Sequence, residues 1–184
     1  YMSIIENPAW RRRLPHSTDN IHFIDWLRDR GSLTARLQAR GSFAVKLLRQ
    51  GLGKPTIDEA CTLHIQRKQI AWVREVALYC NDRPLVFAHT VLSYRPRGAM
   101  TGWLARLGNR SLGALLFSHA GFKRGTISVR SIDHRHPLFR PAVEAMSLSK
   151  PPRALWARRS LFSFGSQSVL VTEIFSPALR PEKS

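Results

Sequence analysis

Residues 70–94 constrain the fold more than any other stretch. Ile70 to Cys80 alternates strictly, with Ile70, Trp72, Arg74, Val76 and Leu78 on one side and Ala71, Val73, Glu75, Ala77 and Tyr79 on the other. The turn formers Asn81-Asp82-Arg83-Pro84 follow, and Leu85 to Tyr94 is a second apolar run. Successive strand side chains point to opposite faces, so two such runs around a tight turn form an antiparallel hairpin. A second hairpin is marked by Arg158 to Phe164 and Ser168 to Phe175 about Gly165-Ser166-Gln167. Phe43, Val45 and Leu47 open a further strand before the break at Gly51-Leu52-Gly53, and Thr126 to Ile132 alternates again. Hairpins interleaved with helix pairs, without strand-helix-strand repetition, indicate an α+β fold on a single antiparallel β-sheet.

The helical signals are short. Ser17-Thr18-Asp19 are capping types ahead of Ile21, Ile24 and Leu27, and Ser32 caps a turn that places Leu33 and Leu37 on one face. Met100, Trp103, Leu104 and Leu107 form an amphipathic helix ended by Gly108, and Ser111 caps Leu112 to Phe117. Residues 133–153 carry four prolines and read as an insertion loop with one helical turn around Val143 to Met146. Residues 1–17, with Arg11-Arg12-Arg13, read as a basic, loosely held N-terminal arm. The 184 residues, 43% of them hydrophobic, suffice for a single domain with one core, here 1–184.

Charge narrows the partners. Lys and Arg number 29 against 12 Asp and Glu, a net charge of +17 and a pI near 11.5, so an anionic ligand is expected. The arginines are dispersed and no RNP, KH or zinc-finger pattern occurs, so nucleic acid is not expected as a partner. Weak association of the arm with an anionic membrane is compatible with its arginines. Cys61 and Cys80 form no CxxC or Cys-His cluster, which indicates free thiols, no zinc and a reducing, cytoplasmic setting. No apolar run approaches the roughly 18 residues of a membrane span. A monomer acting on a small molecule is the resulting expectation.

Two charged residues stand on apolar strand faces. Arg74 is central to the bulkier side of its strand, and Glu173 follows Val169 and Val171 on the last one. A buried, unpaired ion costs several kcal/mol, so each must be neutralised. They form a buried Arg74–Glu173 ion pair, or lie at a strand edge where both tips reach water, or line a pocket in which Arg74 grips a carboxylate bidentately and Glu173 addresses the far end of the ligand. Leu33 and Leu112, first in their helices, add unpaired backbone N–H groups that suit an anion.

The segments DWL (Asp25 to Leu27), GSLT (Gly31 to Thr34), WVREVAL (Trp72 to Leu78), LGNRSLGALLF (Leu107 to Phe117), LWARRS (Leu155 to Ser160) and LVTEIFSPAL (Leu170 to Leu179) occur in this order. Together they resemble the bacterial chorismate pyruvate-lyases over most of the chain. The resemblance implies a single antiparallel sheet with helices closing a buried pocket, no metal and no organic cofactor. It also implies elimination of pyruvate from chorismate to give 4-hydroxybenzoate for ubiquinone synthesis. By the same resemblance Arg74 and the backbone N–H groups of Leu112 and Leu33 hold the ring carboxylate, and Glu173 meets the ring hydroxyl. The enolpyruvyl carboxylate needs a further cation, for which Arg158 or Arg159 is the candidate. Relative to that family, residues 132–152 form a longer connection and the arm is more basic. The alternative readings are a non-enzymatic, effector-binding domain of the same fold that takes a small aromatic carboxylate, and a basic nucleic-acid-binding protein.

Overall fold

The structure, a computed structural model, describes residues 10–14, 21–66, 68–95 and 97–179. The elements run α1 (Ile24–Arg28), α2 (Leu33–Gln38), β1 (Phe43–Gly53), α3 (Ile57–Thr62), β2 (Ala71–Cys80), β3 (Arg83–Ser93), α4 (Ala99–Ala105) and α5 (Leu112–Ser118). They continue as β4 (Lys123–Ile132), α6 (Phe139–Ala145), β5 (Leu155–Phe164), β6 (Gln167–Phe175) and a closing 3₁₀ turn, Pro177–Leu179. All six strands form one antiparallel sheet in the order β1-β2-β3-β6-β5-β4. Both expected hairpins are present. Asn81 and Asp82 take left-handed backbone angles (φ 48° and 58°) in the first, the turn geometry that matches strand twist.

Alternation assigns each face its partners. Val76, Leu78, Val86 and Val129 pack against Trp26, Leu27, Leu33 and Leu37 of α1 and α2, while Leu92, Phe162, Val169 and Val171 pack against Met100, Leu104 and Leu116 of α4 and α5. The opposite face packs Phe87, Ala157 and Ile174 against Phe139, Ala142 and Met146 around α6. Next to it Val73, Val91 and Leu170 pack against Leu63 and Ile65, which follow α3. Four short helices thus cover one face and two the other.

Several local expectations change. The first helix starts at Ile24 behind Phe23 with no side-chain cap, Ile21 is exposed, and Ser17-Thr18-Asp19 lie outside the described residues. β1 runs through Gly51 to Gly53 instead of stopping there. The helix expected as one turn at 143–146 spans Phe139–Ala145 and is fastened by its apolar side chains. Within the arm, Arg11 exchanges two backbone hydrogen bonds with Val129 on edge strand β4, at 2.9 and 2.8 Å. Trp10 beside it is buried, its indole donating to Asp58 at 3.0 Å and the Arg159 guanidinium 4.4 Å above its ring. Those two residues are held firmly. Cys61 is exposed, Cys80 is buried, and both thiols are free.

One buried charge cluster ties the helix-α3 side to the sheet. His89 lies between Glu75, 2.9 Å from Nδ1, and Glu59, 3.0 Å from Nε2. Glu59 is itself fixed by a reciprocal cap in which its carboxylate accepts from the Thr56 N–H and the Thr56 hydroxyl accepts from the Glu59 N–H. Burial alone would lower the His89 pKa, but hydrogen bonds and charges from the two glutamates overcome it and push it up to about 9. Burial would raise the Glu59 carboxyl, yet the His89 contacts hold both glutamates below the usual 4.5. The histidine's contribution to stability is therefore complete below about pH 6.5 and lost as pH rises through about 9, while that of the glutamates is lost as pH falls below about 4.5. Thermal melts across pH should show a plateau near pH 5–6.5 and a decline toward pH 9, and the His89→Gln variant should lose most of that alkaline decline.

Candidate active site

The cavity lies on the face covered by α1, α2, α4 and α5, and is lined by Arg74, Arg124, Arg158, Glu173, Thr90 and an apolar wall that includes Val76, Leu116, Phe117 and Phe162. About 50 Å³ is open to the centre of a water-sized sphere, several times the roughly 10–15 Å³ that one water requires. Helices α2 and α5 meet over it, the Thr34 and Ser111 hydroxyls 2.5 Å apart. Ser32 and Ser111 cap these helices by accepting from Ala35 and Ala114, as their spacing foretold. Leu33 and Leu112, their first residues, both line the cavity.

At one end stands Arg74, 2% exposed. Its Nη1 donates to Gln50 Oε1 at 2.8 Å, and its Nη2 donates to the carbonyls of Gly108 at 2.7 Å and Arg110 at 3.1 Å. All three acceptors are neutral, and burial pulls its pKa below the usual arginine value. Gly108 reaches this position at φ 58°, a left-handed conformation that glycine adopts without strain. Gln50 reaches it through a bulge. Leu47 pairs with Val76 but Arg49 pairs with Glu75, so the extra residue, Leu48, is set out to solvent and Gln50 falls opposite Arg74 on the cavity face.

At the other end Arg158 and Glu173 are direct cross-strand partners. Arg158, 1% exposed, donates from Nε to Glu173 at 2.5 Å and from Nη1 to the carbonyls of Trp26 at 2.7 Å and Asp29 at 2.8 Å. The Arg74–Glu173 ion pair considered from sequence does not form, because β3 lies between β2 and β6 and Arg158 is the nearer cation. Arg159, the other candidate for a second carboxylate, points to the opposite face, where it pairs with Asp58. Strand parity requires this of adjacent residues.

A third arginine was missed from sequence. Arg124 lines the cavity, donating from Nε to Ser160 Oγ at 3.1 Å and from Nη1 to the carbonyls of Arg30 at 2.8 Å and Gly31 at 3.4 Å. Burial and the neighbouring Arg158 lower its pKa to about 10. Among the described residues no group of three or more His, Cys, Asp or Glu is placed to hold a metal, and no helix is long and apolar enough to cross a membrane.

Comparison with known proteins decides the family. The family model described as chorismate lyase matches residues 4–181. The chain belongs to the chorismate lyase family. A protein of Dechloromonas aromatica named probable chorismate pyruvate-lyase is 48% identical over 176 residues, covering 95% of this chain and 98% of that protein. One of the same name from Nitrosomonas europaea is 41% identical over 174 residues, covering 94% and 95%. Among solved structures, the C-terminal domain of the histidine utilization repressor from Pseudomonas syringae superposes with a TM-score of 0.60 at 12% identity, covering 78% of this chain and 97% of that one. The effector domain of PhnF from Mycobacterium smegmatis gives 0.56 at 14% identity, covering 80% and 90%. At such identities these two structures show only that the fold is shared with this member of the family.

Removing Glu173 strands a buried cation. Glu173→Ala should lower the unfolding free energy by about 3 kcal/mol, measured by urea melts at pH 7. The double variant Glu173→Leu with Arg158→Met should recover much of that loss, since it buries no charge.

Proposed function

We propose that the protein is a chorismate lyase that eliminates pyruvate from chorismate and leaves 4-hydroxybenzoate. The observation that carries this is Arg74, buried against neutral acceptors on one side of a cavity whose other side holds Glu173. Of the five N–H donors of a guanidinium, the Gln50, Gly108 and Arg110 contacts occupy three. One remains on Nη1 and one on Nε, on different edges of the guanidinium, and each can take a carboxylate oxygen. The first backbone N–H groups of α2 and α5, at Leu33 and Leu112, have no partner within their helices and supplement them.

With the ring carboxylate so held, the ring lies along the apolar wall and its hydroxyl is directed to Glu173. The C4 hydrogen is lost, its bonding pair becomes the new ring double bond, and the C3–O bond breaks with its pair going to the enolpyruvyl oxygen. The enolate then takes a proton at its methylene carbon and becomes pyruvate. The electrons balance within the substrate, and aromatisation drives the reaction. What the protein supplies is orientation of a flexible dianion, exclusion of water beneath α2 and α5, and a carboxylate that can move or hold a proton beside C4. Product and substrate share the ring carboxylate and the hydroxyl, so appreciable product inhibition is expected, and the product's further use in ubiquinone synthesis belongs to the same reading. So does action as a monomer in the cytoplasm, with the arginines of residues 1–17 drawn weakly to anionic membrane. A ligand sensor would use the same pocket without turnover, and the family match supports the enzyme instead.

Incubation with chorismate should yield equimolar 4-hydroxybenzoate and pyruvate by chromatography, and Arg74→Gln and Glu173→Gln should each lose at least about 10²-fold in kcat/KM. A folded parent that binds 4-hydroxybenzoate and makes no product would replace the enzyme by a sensor. Because a hydrogen bond to a charged group is worth about tenfold in affinity or more, calorimetry should find 4-hydroxybenzoate bound at least that much tighter than benzoate. Equal affinities would remove Glu173 from the hydroxyl.

A further inference from the structure

Among the described residues three arginines line the cavity, and two of them already have a place in the reading above. Arg74 stands at the ring-carboxylate end, and Arg158 is neutralised by Glu173. We infer that Arg124 binds the second carboxylate of the substrate, on its enolpyruvyl arm, and thereby makes the cavity selective for a dicarboxylate. This rests on the reading of the site as a chorismate-binding pocket.

Placement argues for it first. β2 and β4 are four strand spacings apart in the sheet order, about 19 Å at roughly 4.8 Å per spacing, and long arginine side chains reach inward from both. The cavity therefore has a cation toward each end, which suits a ligand with two separated anionic groups. Arg124 lies close enough to Arg158 and Glu173 to feel both charges. It thus stands at the end where the hydroxyl and the neighbouring ether oxygen would lie. Its guanidinium carbon is 5.6 Å from the Phe117 ring centroid and 5.3 Å from that of Phe162, so two aromatic faces fix its direction.

Its hydrogen bonds argue for it second. Ser160 Oγ and the carbonyls of Arg30 and Gly31 are neutral, and they engage only Nε and Nη1. Among the described residues no carboxylate is within ion-pair distance of Arg124, and Nη2 has no hydrogen-bond partner, which leaves its two N–H donors for a ligand.

Backbone irregularity argues for it third. Arg124 pairs with Phe162 whereas Ile127 pairs with Ser160, so β4 carries one residue more than β5 over this stretch. Without that bulge Arg124 would have the parity of Ser128 and Arg130 and face away from the cavity. Gly125 sits at the bulge, where a Cβ would come within 3.2 Å of the Leu161 carbonyl oxygen, so the strand passes close to its neighbour as it re-aims Arg124.

Once the C3–O bond breaks, the second carboxylate leaves with pyruvate. Arg124 should then distinguish substrate from product, as Arg74 does not. The test measures steady-state kinetics with chorismate and calorimetric binding of 4-hydroxybenzoate for the parent, Arg124→Gln, Arg124→Lys and Arg74→Gln. Arg124→Gln should raise the chorismate KM at least about tenfold, the usual worth of one charged hydrogen bond, and leave the 4-hydroxybenzoate Kd within about twofold. Arg124→Lys should fall between it and the parent, and Arg74→Gln should weaken both ligands. Retained 4-hydroxybenzoate binding also shows that Arg124→Gln still forms the pocket, although Arg124 fastens the Arg30 and Gly31 carbonyls. Equal weakening of chorismate and 4-hydroxybenzoate in Arg124→Gln, or of neither, would overturn the inference. If the folded parent proves inactive, the lyase reading fails instead, and calorimetric titration of chorismate into parent and Arg124→Gln still reads the role of Arg124 by the same ratio.

Discussion

A guanidinium buried at 2% exposure and bonded only to neutral oxygens is the constraint around which this molecule is arranged. Leaving such a charge without a carboxylate sacrifices several kcal/mol of stability, and the surrounding backbone is shaped to limit that cost. A bulge at Leu48 delivers Gln50, and a left-handed glycine at 108 turns loop carbonyls toward Nη2. Partial satisfaction of this kind holds Arg74 in place while its remaining donors stay open to a ligand. The other end of the cavity is built the opposite way, with Arg158 neutralised by Glu173 and bonded to carbonyls at the end of α1 and beyond it. One end therefore presents a cation with no carboxylate partner and the other a fixed Arg158–Glu173 ion pair with Arg124 beside it.

The face of the sheet away from the cavity supplies rigidity. Glu75 and His89 directly follow Arg74 and precede Thr90 in their strands, and the Glu59–His89–Glu75 cluster clamps this pair of strands to α3. Two strands farther across, Arg159 and Asp58 hold Trp10 down and so fasten the chain before α1. Neither group touches the cavity. Each fixes strands whose opposite side chains form it, so charge buried on one face stabilises positions used on the other.

Strand parity explains what could be read from sequence and what could not. Arg74 and Glu173 were visible because their strands alternate cleanly, and Ser32 and Ser111 because a capping serine before an apolar turn is a local signal. Gln50 and Arg124 were hidden because a bulge separates each from the clean alternation of its strand, and one inserted residue reverses every assignment on its far side. Arg158 and Arg159 could not be told apart until the pairing with Glu173 was known, although one of two neighbours in a strand had to face away. Helix α3 was overlooked although Thr56 and Glu59 carry the spacing of a reciprocal cap, and α6 was read as a single turn because its prolines obscured an apolar set completed only by the sheet. The anchoring of Trp10 and Arg11 depends on partners more than 40 residues away, which no local pattern in the arm contains.

The central claim is that Arg74 is kept buried and uncompensated in order to receive a ligand carboxylate. Differential scanning of the parent and of Arg74→Met, each with and without saturating 4-hydroxybenzoate, tests it directly, because a ligand raises Tm only through its affinity for the folded state. The account predicts a Tm rise of several degrees for the parent, none for Arg74→Met, and ligand-free melting temperatures within a few degrees of each other. A full ligand-induced rise retained in Arg74→Met would contradict it.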